Sequence, residues 1–157
     1  MKLTVLAVGK VKRSFFREGC DEYASRIGRY LRFEVVEVKD EPPRGGRTTA
    51  EVREKEAERI RQRLPPGARV IALDERGDSP TSEAFAAELG ALRDRGLKDL
   101  VFVVGGPLGL EPTFRAACER QLALSSFTLP HELARLTLLE QLYRACTLLA
   151  GEPYHNP

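Results

Sequence analysis

The stretch Asp99-Leu100-Val101-Phe102-Val103-Val104, followed by Gly105-Gly106-Pro107-Leu108-Gly109, decides the fold. Its first half is an apolar run of strand length, and its second half is a glycine-rich turn. Pro112 then suits the first turn of a short helix. The same alternation runs upstream. Residues 2–8 read as a strand that Gly9 ends. Residues 14–31 keep helical spacing at Phe15, Cys20, Tyr23, Ile27, Tyr30 and Leu31. Residues 33–38 are a β-branched and aromatic strand, and residues 40–47, with two prolines and two glycines, are a loop. Thr48 and Glu51 have capping-box spacing. They open a charged helix with a narrow stripe of Val52, Ala57, Ile60 and Leu64, which Pro65-Pro66-Gly67 terminates. Residues 69–73 read as a short buried strand, and Ser82 as the N-cap of a helix presenting Phe85, Leu89 and Leu92. Residues 122–129 are apolar apart from Ser125, Ser126 and Thr128. A last helix runs from about His131 to Ala150, and Gly151 stops it. Strands alternating with helices predict an α/β fold, a mostly parallel sheet flanked by helices.

Composition bounds the rest. The 157 residues fit one domain, residues 1–157, with one core. Hydrophobic residues at 42% and charged residues at 31% describe a globular chain. No apolar run is long enough to cross a membrane, and the first residues enter a strand without a leader pattern. Cys20, Cys118 and Cys146 are odd in number and far apart, which points to a reducing, cytoplasmic setting. A net charge of +2 is small for gripping nucleic acid by charge alone. The cations are clustered, though: Lys10, Lys12, Arg13 and Arg17 early, then Arg44 and Arg47 around a glycine pair. Such clusters are either solvated loops or a phosphate-contacting patch.

In a parallel sheet, ligands bind beyond the carboxyl ends of the strands, so the loops after Leu73, Val104 and Leu124 are the candidates. Gly105 and Gly106 allow backbone to approach a ligand and to adopt positive φ. Their spacing is neither the dinucleotide fingerprint nor a Walker loop; a tight strand-to-helix turn also explains them. In Leu124-Ser125-Ser126-Phe127-Thr128-Leu129-Pro130-His131, hydroxyls interrupt an apolar segment at a strand's end. They could hold a polar ligand in an apolar slot, or simply terminate the strand. The last helix is apolar almost all round, which fits a subunit interface or a central core helix. Tyr154 and His155 are unusual in a chain end, where they could stack on a base or contact phosphate. Neither a metal cluster nor a nucleophile–base arrangement is legible.

Taken together these segments resemble a known family. Leu73, then Gly105-Gly106-Pro107-x-Gly109, then residues 124–129 before Pro130-His131, then Glu140-x-Leu142-Tyr143-Arg144-Ala145, and finally Pro153-Tyr154-His155 look like the RlmH family. These are ribosomal RNA large-subunit methyltransferases of the SPOUT class. The resemblance extends to Met1-Lys2-Leu3 and Ala7-Val8-Gly9 and covers the whole chain. It implies a C-terminal trefoil knot, an obligate homodimer and S-adenosylmethionine as methyl donor, without a metal. It implies methylation at N3 of pseudouridine 1915 in helix 69 of 23S rRNA, in the assembled 70S ribosome. By position, Leu73, Gly105, Leu124, Ser125, Ser126, Phe127, Thr128 and Leu129 would contact the donor. His131, Arg144, Tyr154 and His155 would lie near the substrate, Arg144 or a protonated His155 favouring the N3 anion. RNA would be gripped across two subunits by Lys10, Lys12, Arg13, Arg44 and Arg47.

Two positions depart from the family pattern. Leu108 stands where an acidic residue is frequent, and Asn156-Pro157 stand where the tail usually carries a basic residue. They leave a second reading open, a non-catalytic ribosome-associated module that has kept the fold. The alternation alone also fits a flavodoxin-like nucleotide binder, but the loop from Gly9 to Ser14 lacks a glycine-rich cradle.

Overall fold

Two strongly apolar runs, β1 (Lys2–Val8) and β4 (Asp99–Val104), lie side by side at the centre of the sheet in a computed structural model, which describes residues 1–156. β2 (Arg32–Val38) pairs outside β1, β3 (Arg69–Asp78) pairs outside β4, and β5 (Arg120–Leu122) lies beyond β3. All four pairings are parallel, in the order β2-β1-β4-β3-β5. The connections carry α1 (Ser14–Ile27), α2 (Thr49–Arg61), α3 (Ser82–Asp94) and α4 (Pro112–Ala117), and α5 (His131–Ala150) follows β5. Because side chains alternate along a strand, the central strands feed two cores. Leu3, Val5, Ala7, Leu100, Phe102 and Val104 meet α1, α3 and α5 on one face. Leu6, Val8, Val101 and Val103 meet Ala57 and Ile60 of α2 and Phe114 of α4 on the other.

The apolar circumference of α5 has a cause inside the chain. The helix packs against α1, α3 and β4 at once, and Leu138, Leu139 and Leu142 are fully buried. A core position therefore explains a pattern that also fitted a subunit interface. The thiols are equally passive: burial pushes Cys20, Cys118 and Cys146 up to about 11, far from thiolate at neutral pH.

Several boundaries differ from the sequence reading. α1 stops at Ile27 rather than residue 31, because residues 28–30 turn the chain into β2. The N-cap of α3 is Thr81, whose Oγ1 accepts the Ala84 N–H at 3.2 Å. Ser82 is thereby free to donate to Gln141 Oε1 at 2.7 Å. β3 continues past Leu73 to Asp78 through an irregular register against β5. Gly77 permits that approach, since a Cβ there would stand 2.5 Å from the Gln121 backbone. The last strand ends at Leu122, so the hydroxyl-rich segment is a loop. Ser125 Oγ accepts the Phe127 N–H at 2.9 Å, a local bond that competes with strand pairing.

One buried cation ties α5 to the sheet. Arg135 is 3% exposed. It donates to Gly9 O at 2.7 Å and pairs with Glu37 of β2. Arg135→Ala would take the donor from a half-buried carbonyl and remove a buried side chain, while the exposed Glu37 carboxylate would be hydrated. Urea denaturation should show a loss of about 2 kcal/mol. A loss below about 1 kcal/mol would mean that apolar packing alone seats the helix.

Candidate functional site

The irregular stretch of β3 and the loops that follow β4 and β5 meet at one cavity of about 620 Å³. From β3 come Leu73, Asp74, Glu75 and Arg76. The β4 loop supplies residues 105–110, and the β5 loop supplies Leu124, Ser125, Phe127, Thr128 and Leu129. Pro130, His131 and Ala134 close the wall at the start of α5. Of the residues expected at a donor, only Ser126 is not among those lining the cavity.

The glycine loop works by closeness rather than by unusual dihedrals at its start. Gly109 alone in this loop has positive φ, at 81°. A Cβ on Gly105 would lie 3.1 Å from Gly109 C and Leu110 N. One on Gly106 would lie 3.2 Å from Val8 Cγ1 and 3.3 Å from Glu56 Oε2. The turn is closed by the Gly109 N–H on Gly106 O at 2.9 Å. Arg53 of α2 donates from Nε to Leu108 O at 2.7 Å. The main chain at Leu108 is thus fixed from below, whatever its side chain.

Charge in the cavity is arranged in pairs. Asp74 accepts from Arg76 Nε at 2.9 Å and from Arg115 Nη1 at 2.8 Å. Glu75 has no cationic partner there; its Oε2 accepts from Thr128 Oγ1 at 2.9 Å, joining the β3 and β5 loops. Phe127, 80% exposed, stands on the lip. Arg53, Asp74, Glu75 and Arg115 went unread in the sequence. Asp74-Glu75 directly after a candidate strand was a usable signal. Arg53 and Arg115 sit on helices whose spacing says nothing about a distant loop.

The expected substrate residues are divided. His131 lines the cavity, but Arg144, Tyr154 and His155 do not. Arg144 lies thirteen residues further along α5, about 20 Å away at the helical rise. There Arg144 donates from Nε to Glu140 Oε1 at 3.1 Å, and its Nη2 adds a second bond to the same carboxylate. Its Nη1 stands 3.2 Å from His155 Nδ1. His155 Nε2 lies 2.8 Å from Glu83 Oε1, so the ring is held between the Arg144 guanidinium and a carboxylate. Tyr154 packs edge-on to Tyr143 with centroids 4.7 Å apart, under the Arg144 guanidinium at 4.8 Å. Burial, with the Tyr23 hydroxyl and the Glu140 carboxylate, raises the Tyr154 phenol above its ordinary value, and its hydroxyl donates to Glu140 Oε1 at 3.1 Å.

The basic clusters also separate. Lys10, Lys12, Arg13 and Arg44 are exposed. Arg47 is instead bound to Glu41 at 2.9 Å, and Arg17 to the Val11 carbonyl at 3.1 Å. Asn156 is exposed, and Pro157 lies outside the described residues. Among the described residues, no cluster of His, Cys, Asp and Glu is arranged to hold a metal, and no helix is long and apolar enough to cross a membrane.

A parallel α/β sheet with a ligand-sized cavity toward the carboxyl ends of its strands defines an α/β protein built to hold a small ligand or cofactor. The family model described as "Predicted SPOUT methyltransferase" matches residues 1–155. A solved structure, a probable methyltransferase from Bordetella pertussis Tohama I, shares the fold with a TM-score of 0.59 and 16% identity, over 92% of this chain and 94% of that one. Ribosomal RNA large subunit methyltransferase H of Geobacter metallireducens is 45% identical over 156 residues, 99% of each chain. Its counterpart in Anaeromyxobacter dehalogenans is 48% identical over 99% of this chain and 100% of the relative. The chain belongs to the SPOUT methyltransferases, in their RlmH family.

Glu56 lies beneath the glycine loop, 5% exposed. It accepts the Glu41 N–H at 3.0 Å, and burial holds its carboxyl above the ordinary 4.5. The folded protein therefore takes up this proton at a higher pH than the unfolded chain. Its contribution to stability is complete below pH 4.5 and is lost as pH rises through the raised folded value. Glu56→Gln keeps the acceptor and carries no charge. At pH 7 it should unfold at a higher urea concentration than wild type, and the two midpoints should converge below pH 4.5. A less stable variant at pH 7 would show that the carboxylate is favoured there.

Proposed function

We propose that the chain, as one catalytic unit of residues 1–157, transfers a methyl group from S-adenosylmethionine to 23S rRNA. The target is N3 of pseudouridine 1915 in helix 69, within the assembled 70S ribosome, in the cytoplasm. The observation that carries this reading is the cavity at the ends of β3, β4 and β5. Its volume falls in the range of small-ligand and cofactor sites. Leu73, Leu110, Leu122, Leu124 and Leu129 give it apolar walls suited to an adenine ring. Gly105 leaves the ligand room at the backbone, where a side chain would already crowd Leu110. Glu75 supplies a carboxylate without a cationic partner toward a cationic donor.

When bound, the donor supplies a sulfonium-activated methyl group. The chain's residues hold the reactants in line and exclude water, which is the main source of rate in such a transfer. The irregular stretch 73–76 of β3 and the loops of residues 105–110 and 124–129 orient the donor, and His131 borders the same space. Arg144, Tyr154 and His155 belong to the substrate side. Lying some 20 Å along α5 from His131, they reach a donor most directly across a homodimer, from the second copy. The family's trefoil knot belongs to this reading, as the device that holds the three loops together. Leu108 lends the non-catalytic reading little support, because Arg53 fixes the loop through the Leu108 carbonyl.

Calorimetry with S-adenosylmethionine should show binding by wild type and at least about tenfold weaker binding by Gly105→Ala, a difference near 1.4 kcal/mol. Radiolabelled methyl should enter ribosomes, and mass spectrometry of helix 69 should locate it. Wild type that binds donor but labels no ribosome overturns the proposal. Gly105→Ala and Arg144→Ala should each be inactive alone. Co-expressed, they should recover about a quarter of wild-type activity, since half the dimers are mixed and each mixed dimer keeps one of two sites. No recovery would return the tail to its own protomer's site.

A further inference from the structure

The loop between β1 and α1 is built more firmly than a solvated charge cluster requires. Val11 is buried in the core. The Lys12 N–H donates to Glu132 Oε1 at 2.6 Å, and Arg17 donates to the carbonyls of Val11 at 3.1 Å and Lys12 at 3.3 Å. The Lys12 N–H, ahead of all other influences, holds the Glu132 carboxyl below its ordinary value. Glu132 follows His131, so the loop is anchored to the same turn of α5 that borders the cavity. From this scaffold Lys10, Lys12 and Arg13 extend into solvent.

Beside them stands Phe15, 57% exposed on the first turn of α1. Its ring meets Phe16, with centroids 4.4 Å apart, and the Arg13 guanidinium lies 6.0 Å from its centroid. The acids of α1, Glu18, Asp21 and Glu22, start about one turn further on. More than half of the ring stays uncovered among exposed cations. It offers an open π-face where a polyanion would be held.

We propose that Phe15 is a stacking platform for an unpaired base of the substrate RNA, with Lys10, Lys12 and Arg13 on the flanking phosphates. The inference rests on RNA being the substrate and adds where and how it is gripped. A paired base is already stacked on both faces, so the occupant is a nucleotide in a loop, bulge or single strand. Stacking on an aromatic ring tolerates any base, and the phosphate contacts make the grip depend on salt.

The chain has no tryptophan, so Phe15→Trp introduces a single reporter at the platform. At low salt its emission should be quenched by a single-stranded oligoribonucleotide and not by a duplex of equal length. Phe15→Ala should bind purified ribosomes about tenfold more weakly by co-sedimentation, with unchanged affinity for S-adenosylmethionine. The double change Lys12→Glu and Arg13→Glu should weaken ribosome binding and flatten its salt dependence. Wild type that binds no ribosome overturns the substrate reading and this inference with it. Wild type and Phe15→Ala that bind equally well overturn the inference alone. So does Phe15→Trp emission that shifts with protein concentration and not with RNA, because a second copy would then cover the ring.

Discussion

Burial of β1 and β4 on both faces is the constraint on which the other features rest. A strand enclosed above and below has no outlet for polar side chains, so nearly every residue must be apolar, and its backbone must be paired on both edges. Parallel pairing meets the second need with helices as crossovers, and those helices supply the covering layers. All strands then point one way. Their carboxyl ends, and the loops that leave them, fall on one side of the molecule. The cavity is a consequence of that alignment, and its chemistry is written in loops that the sheet holds in register.

A second constraint governs α5. The helix is wedged between α1 and α3 over the sheet, so its sides are occupied. Its two ends are not. The first turn carries His131 at the cavity and Glu132 at the basic loop, and Arg135 seals the helix to the ends of β1 and β2. The last turns carry Arg144 and the folded-back tail, where Glu140 collects Arg144 and Tyr154. One rigid rod separates the cavity end at His131 from the Arg144–Tyr154–His155 end. This geometry is why a second copy enters the functional reading.

Local charge matters more here than net charge. Many acidic groups are answered within the chain: Asp74 at the cavity by two arginines, and Glu41, away from it, by Arg47 and Arg59. Arg47, which looked available in the sequence, is consumed in this way. Of the two basic clusters, Lys10, Lys12, Arg13 and Arg44 remain exposed, with Phe15 beside the first three. A near-neutral chain can still present a short cationic surface when its other charges are spent on one another.

Much was legible in the sequence because it depends on short-range pattern. Continuous apolar runs marked β1 and β4, Thr48 and Glu51 marked the capping box that forms at α2, and Gly151 marked the end of α5 in a left-handed cap. That Leu73, the glycine loop and residues 124–129 would meet at one place was legible as well, since the carboxyl ends of parallel strands fall on one side of the sheet. Other features only the tertiary structure decided. What covers the apolar faces of α5, which carboxylate Arg47 meets, and which groups His155 touches all depend on residues distant in the chain. Arg53 under the glycine loop and the neighbours of Arg144 and His155 leave no periodic trace. Spacing records what a backbone does over one or two turns, whereas a hydrogen bond across the sheet depends on where folding brings the partner.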